Sequence, residues 1–386
     1  MQLAKRMEAI TPFYVMELLR RAKQLEEQGR DIIHMEIGEP EFATPELITQ
    51  AGIDYLKKGY IKYTPAAGLP ELRQKISDFY RQKYHVTVPA ERIFITPGAS
   101  GAFLLAMGVS INQGDEVILS DPCYPCNQNF IRLFSEHVKK VPVSADTAYQ
   151  LSVDLLRQHW QAPTRGVLIA SPSNPTGTIV EATELAKLIA FVNAKQGLFF
   201  SDEIYHGLVY EEGVASALEF SDQVFVINSF SKYFGMTGWR IGWLIVPEAF
   251  VQATEKLAQN IFISTSSHSQ YAALAAFDPL TLQELERRRE DFARKRDFLY
   301  EHLLRLGFNI PVKPVGAFYI YADASQFTDD SQVFAEQLLE LEGLAITPGK
   351  DFGHNQSQHY LRFSYTGSMA TITEGIKRLE RFINHL

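Results

Sequence analysis

Between about residues 90 and 246 the chain alternates short apolar, β-branched runs with segments of helical length. The runs are IFIT (93–96), EVILS (116–120), VLIAS (167–171), the FF pair at 199–200, VFVIN (224–228) and WLIV (243–246). They lack the strict apolar–polar alternation of a strand with one wet face, so they predict an α/β domain whose mostly parallel sheet is covered by helices on both sides. Between two of them, EATELAKLIAFVNAK places Leu185, Leu188, Ile189 and Val192 on one helical face. Glu181 and Glu184 fall in its first turn, where the helix dipole favours acids.

The ends carry a different pattern. Residues 11–28 predict an amphipathic helix with Met16, Leu19, Ala22 and Leu25 on its apolar face. From about 281 a charged run, LQELERRREDFARKRDFLYEHLLRL, predicts a long helix leading to two strands, GAFYIY and YLRFSY, and a last helix starts near Thr371. The change of pattern suggests a second, smaller α+β domain built from both chain ends, 1–45 and 280–386, beside a large domain over 46–279. The 386 residues fit that division, at about 150 per domain.

Composition excludes more than it assigns. Ordinary apolar and charged fractions, 46% and 21%, rule out a disordered or fibrous chain. A net charge of −8 is the wrong sign for a partner rich in phosphate, so no nucleic acid is expected. No apolar run is long enough to span a bilayer, and MQLAKRMEAITPFY has no signal-peptide core, so no membrane partner and a cytoplasmic location are expected. The two cysteines, Cys123 and Cys126 in DPCYPC, lack a second pair to complete a zinc site. No metal is expected; the pair reads as two thiols in a proline-bounded loop, with a redox role as the alternative.

Four segments follow predicted strands, where open α/β sheets bind ligands: TPGASGAF (96–103), SPSNPTG (171–177), SDEIYHG (201–207) and NSFSKYFGMTGWRIG (228–242). Most lysines are solvated surface groups. Lys232 instead follows the apolar run VFVIN, flanked by Ser229, Ser231 and Arg240, a setting that favours a nucleophilic amine. Such an amine forms imines, and the carbonyl cofactor that makes an imine an electron sink is pyridoxal phosphate. That cofactor needs a buried carboxylate for its ring nitrogen, which Asp202 at the end of GLFFSDE can supply. It needs donors for its phenolate oxygen, and Tyr205 and Asn174 are candidates. For its phosphate, Ala99 and Ser100 open a predicted helix. Read singly, Asp202 could be a helix cap and Asn174 a plain turn residue.

Taken with GEPEF, YTPAAGLPELR and YLRFSY, these segments resemble, over essentially the whole chain, the class I and II aminotransferases, the aspartate-aminotransferase-like family of fold-type-I pyridoxal-phosphate enzymes. The resemblance implies Lys232 as the Schiff-base lysine and Asp202 as partner of the pyridine nitrogen. It places Tyr205 and Asn174 at the phenolate oxygen, and Ala99, Ser100, Ser229 and Arg240 around the phosphate. It further implies Tyr124 stacked on the cofactor ring, Tyr63 reaching the phosphate of a neighbouring subunit in a homodimer, and Gly38, Asn174 and Arg362 at the substrate, with Arg362 gripping its α-carboxylate.

The implied reaction is ping-pong transfer of an amino group from an L-amino acid to a 2-oxo acid. The dicarboxylate-specific branch commonly brings a second arginine from the partner, just upstream of the segment that here reads NIFISTSSH. This chain has Asn260, Ile261 and Phe262 there, which leans toward neutral aromatic or aliphatic donors, with Phe13 and Tyr14 as pocket walls. Two alternatives remain at this level: an eliminating relative such as a carbon–sulfur β-lyase, and a non-catalytic ligand-sensing domain. The second is disfavoured because no basic helix-turn-helix pattern precedes GEPEF.

Overall fold

A computed structural model describes residues 2–10, 12–211 and 213–386. Its centre is a seven-stranded sheet built from β1 (Ile93–Thr96), β2 (Glu116–Asp121), β3 (Val138–Pro142), β4 (Thr164–Ala170), β5 (Leu198–Asp202), β6 (Val224–Ser229) and β7 (Gly242–Ile245), in the order β1-β7-β6-β5-β4-β2-β3. The stretch from β3 to β6 is parallel. WLIV departs from the expected parallel set: β7 runs antiparallel to both β6 and β1. Residues 230–241 join β6 to β7 without the crossover α-helix that usually links parallel neighbours. Strand β3, sequence VKKVP, was not expected. It lies at the sheet edge, where lysines are common and no apolar run is needed.

Alternate side chains of the inner strands enter separate cores on the two faces of the sheet. In β5 and β6, Phe199, Val224 and Val226 join one core, and Leu198, Phe200, Phe225 and Ile227 the other. Each such burial stabilises the fold by about 1.5–3 kcal/mol. The helix expected between β4 and β5, Ala182–Ala194, buries Leu185, Leu188, Ile189 and Val192.

Both chain ends meet beside this sheet. Ile33–His34 pairs in parallel with Leu344–Ala345. A three-stranded antiparallel sheet joins β8 (Tyr319–Asp323), β9 (Thr347–Pro348) and β10 (Tyr360–Ser364), with β10 central. The charged run forms a helix over Pro279–Leu306, and the last helix spans Met369–Ile383.

The first helix, α1, spans Tyr14–Glu27; Thr11, in the expected range 11–28, lies outside the described residues. Ala22 and Leu25 are buried as expected, but Leu18 joins them in place of Met16, which is exposed. Met16 and Leu19 instead border a cavity, described next. No helix among the described residues is long and apolar enough to cross a membrane.

Candidate active site

A cavity of about 420 Å³ opens at the carboxyl ends of β1, β2, β4, β5 and β6, where open α/β sheets place their ligands. Gly38, Ala99, Ser100, Tyr124, Asn174, Asp202, Tyr205, Ser229, Lys232, Arg240 and Arg362 all line it. Tyr63 does not; it is 80% exposed.

The strand ends fix these positions. Ala170, Asp202 and Ile227 sit side by side in β4, β5 and β6, so Asp202 ends the middle strand of the seven-stranded sheet. It is 4% exposed, and burial pushes its carboxyl up to about 7, against the lowering effects of the Ile204 amide, Asn127 and Lys232. The next residue, Glu203, also carries a carboxyl but follows the alternation away from the cavity, accepting from the Ala217 amide at 2.9 Å and from Ser216. Strand parity therefore selects one acid of the SDE triplet.

Thr96, Gly242 and Ser229 form a row across β1, β7 and β6. A Cβ on Gly242 would lie 2.8 Å from the carbonyl carbon of Gly98 and 2.9 Å from the amide of Ala99, so this glycine lets helix α2 (Gly98–Ser110) start against the sheet. A Cβ on Gly98 would in turn lie 2.7 Å from Arg240 Nη2. The Arg240 guanidinium thus packs against the first turn of α2, beside Ala99 and Ser100. Ser229 Oγ donates to Ser231 Oγ at 2.9 Å, and the Ser231 amide donates back at 3.0 Å, ordering the turn that presents Lys232. Lys232 Nζ donates to the Gly38 carbonyl at 3.0 Å, linking the large sheet to the N-terminal segment.

Arg362, in the centre strand β10, is buried between the rings of Tyr319 and Phe352, at 4.2 and 4.8 Å. Its Nη1 donates to Asn174 Oδ1 at 2.9 Å; its Nη2 donates to the Glu36 carbonyl and to Thr347 Oγ1, while Nε is buried without a partner. Asn174 uses its oxygen on Arg362, which leaves its amide N–H groups to donate elsewhere.

Much of the cavity lining is apolar. Phe13, Val15, Met16 and Leu19 contribute to it from the start of α1, together with Phe103 and Phe130. Asp351 anchors that helix by accepting from the Tyr14 and Val15 amides at 2.7 and 2.9 Å, which satisfies two free N–H groups of its first turn. Tyr14 was an expected wall and is not one; it is exposed and serves through its backbone. One of the two cysteines also differs from expectation. Cys123 is buried, and Cys126 sits in the first turn of a helix over Pro125–Arg132, lining the cavity, rather than in a loop.

The model of the family described as aminotransferase class I and II matches residues 30–379. The chain belongs to that family. As an aminotransferase it is 38% identical to the (5-formylfuran-3-yl)methyl phosphate transaminase of Methanocaldococcus jannaschii, over 99% of this chain and 100% of the relative. It is 37% identical to the valine–pyruvate aminotransferase of Mycobacterium tuberculosis, over 96% of each. The crystal structure of an aminotransferase from Mycobacterium tuberculosis superposes with a TM-score of 0.96, at 36% identity and full coverage of both chains. The fold is thus that of the fold-type-I aminotransferases, and the enzyme moves amino groups with pyridoxal phosphate.

The residues present fit that cofactor. The first turn of α2, Ser229, Ser231 and Arg240 gather donors and positive charge at one end of the cavity, as a phosphate requires. Asp202 supplies a buried acid for a ring nitrogen. Asp351 and Tyr319, which line the cavity of this aminotransferase, escaped the sequence reading, and Ser231 was read only as a flank of Lys232. Ser231 lies inside the SFSK segment and could have been chosen with Ser229. Asp351 and Tyr319 reach the cavity only through tertiary packing.

Proposed function

We propose that Lys232, Asp202 and Arg362 carry transamination of neutral, aliphatic or aromatic amino acids, with 2-oxo acids as acceptors. The observation that supports this most is their convergence in one cavity lined by three cations and by many apolar side chains. Among the described residues lining it, Lys232, Arg240 and Arg362 are the only cations, and each has a task. None is left for a side-chain carboxylate, and Asp351 and Glu39 would repel one.

Pyridoxal phosphate, when bound, supplies an electron sink for charge that develops at the substrate α-carbon. Arg240, Ser229, Ser100 and the Ala99 amide hold its phosphate, and Asp202 keeps its ring nitrogen protonated. Tyr205 and Asn174 would donate to its phenolate oxygen, and Tyr124 would pack on its ring. Arg362 grips the substrate α-carboxylate as a planar fork, with Gly38 and Asn174 completing the seat. Lys232 Nζ would hold the cofactor and, once free, would take up the substrate's α-proton and hold it for return.

The organisation we assign is a cofactor-bearing part over 46–279 and a part carrying Gly38 and Arg362 over 1–45 and 280–386. A homodimer is supported by Tyr63 and its neighbours Tyr60 and Ile61, all exposed and outside the chain's own cavity. There Tyr63 reaches the partner's phosphate. Cytoplasmic residence accords with the free thiols of Cys123 and Cys126.

Purified enzyme given valine, leucine or phenylalanine with 2-oxoglutarate is expected to form glutamate. Aspartate is expected to serve at least about tenfold less well, because its second carboxylate meets no counter-charge. Ammonia and pyruvate released from a thioether amino acid without an acceptor would mark an eliminating lyase, and a preference for aspartate would overturn the neutral-donor assignment.

A further inference from the structure

We infer that Tyr319 is a positioning residue for the reaction: its hydroxyl fixes Tyr205 as a hydrogen-bond donor into the cavity, and through Tyr205 it sets the acidity of the cofactor-bound nitrogen of Lys232. The inference rests on the reading of Tyr205 as a partner of the cofactor's phenolate oxygen.

Tyr319, at the start of β8, is 2% exposed and lines the cavity. Its hydroxyl is 3.1 Å from that of Tyr205, also buried, and neither hydroxyl has another hydrogen-bond partner among the described residues. Each carries one proton and can accept, so the pair alone has two equivalent arrangements. An acceptor-only oxygen in the cavity removes the choice. Tyr205 must donate to it, and its own oxygen then accepts from Tyr319. Burial holds the Tyr205 phenol well above its ordinary pKa of 10, so it keeps its proton at working pH.

The same side chain touches the other working parts. Its ring carries the Arg362 guanidinium at 4.2 Å. Its hydroxyl occupies the space that a Cβ on Gly38 would need, since that atom would lie 1.7 Å from it. Gly38 in turn accepts from Lys232 at 3.0 Å. Any residue larger than glycine at position 38 would displace the hydroxyl from Tyr205. This gives the glycine a reason beyond turn geometry.

The direction of the effect follows from charge. A donor on the phenolate oxygen withdraws negative charge from it, so the neighbouring nitrogen loses its proton at lower pH. Donation from Tyr319 polarises the Tyr205 O–H and strengthens that pull, by about 10–30% for one added link in a chain. Both hydroxyls therefore lower the midpoint at which the holoenzyme's visible absorbance changes with pH.

The test is that titration on wild-type holoenzyme, Tyr319→Phe, Tyr205→Phe and the double variant. Tyr205→Phe is expected to raise the midpoint by about one unit or more. Tyr319→Phe is expected to raise it by about 0.1–0.3 unit, and by nothing further once Tyr205 is Phe. Because Phe keeps the ring over Arg362, KM for the donor should change by less than about twofold. An unmoved midpoint in Tyr319→Phe, or an equal shift in both backgrounds, overturns the inference while leaving Tyr205 in place. So does a large rise in KM with an unmoved midpoint, which would confine Tyr319 to packing. If Tyr205→Phe itself leaves the midpoint unchanged, the reading of Tyr205 fails first and the inference falls with it.

Discussion

Lys232→Ala is expected to lower the rate of amino transfer by at least about 10⁴-fold, the scale of losing a nucleophile and a general base together. Lys232 is the only lysine among the described residues lining the cavity, and its Nζ hangs between the end of β6 and Gly38 with one carbonyl partner. Removing it leaves that carbonyl facing the cavity and the phosphate seat of α2, Ser229 and Arg240 intact. The variant should therefore still bind pyridoxal phosphate, by absorbance and by equilibrium dialysis, while single-turnover mixing with an amino donor shows almost no half-reaction. A rate within about tenfold of wild type would remove Lys232 from the chemistry.

Asp202→Asn should reduce turnover by about 10³-fold with little effect on folding. The amide has nearly the same shape as the carboxyl and cannot hold a proton on the ring nitrogen as an anion can. Stability separates loss of chemistry from loss of fold. Burial raises the Asp202 carboxyl from 3.8 to about 7, so between those values the folded protein holds a proton that the unfolded chain has released. Stability of the cofactor-free protein therefore falls as pH rises from about 4 to 7, and Asn removes that slope. Cofactor-free Asp202→Asn should unfold at the same or higher denaturant concentration than wild type at pH 8. A variant that is both inactive and markedly less stable at pH 8 would instead make Asp202 a structural acid.

Much of this was legible because the chemistry sits on local signals. The runs IFIT, VFVIN and GLFFSDE mark strands by composition, and the glycines and hydroxyls that follow them mark strand ends, so Lys232, Ser229 and Asp202 can be placed from a few neighbouring residues. The apolar face of Ala182–Ala194 was equally readable, since a helix repeats its burial every three or four residues. What escaped depends on distant packing. Strand β3 has no apolar run because an edge strand does not need one. Met16 looks like a core residue of α1, yet the helix is rotated so that Leu18 is buried and Met16 borders the cavity. Tyr319 reads as one more aromatic of a strand; its partners Tyr205, Gly38 and Arg362 come from three other parts of the chain.

Relatives do not transfer a donor to this chain. The two named above carry different substrates in their names, a formylfuran phosphate and valine, at nearly equal identity. The apolar residues at the start of α1 and the acid that anchors them are the features of this chain that bear on the donor. In the proposed reaction they would meet the substrate side chain, whereas Lys232 and Arg362 would meet atoms common to every amino acid and Asp202 would meet only the cofactor.

The central claim, that this cavity holds pyridoxal phosphate through Lys232, is tested most directly by borohydride reduction of the holoenzyme followed by peptide mapping. The account predicts one pyridoxyl-modified residue, Lys232. Modification of a different lysine, or none in an enzyme that transfers amino groups, would contradict it.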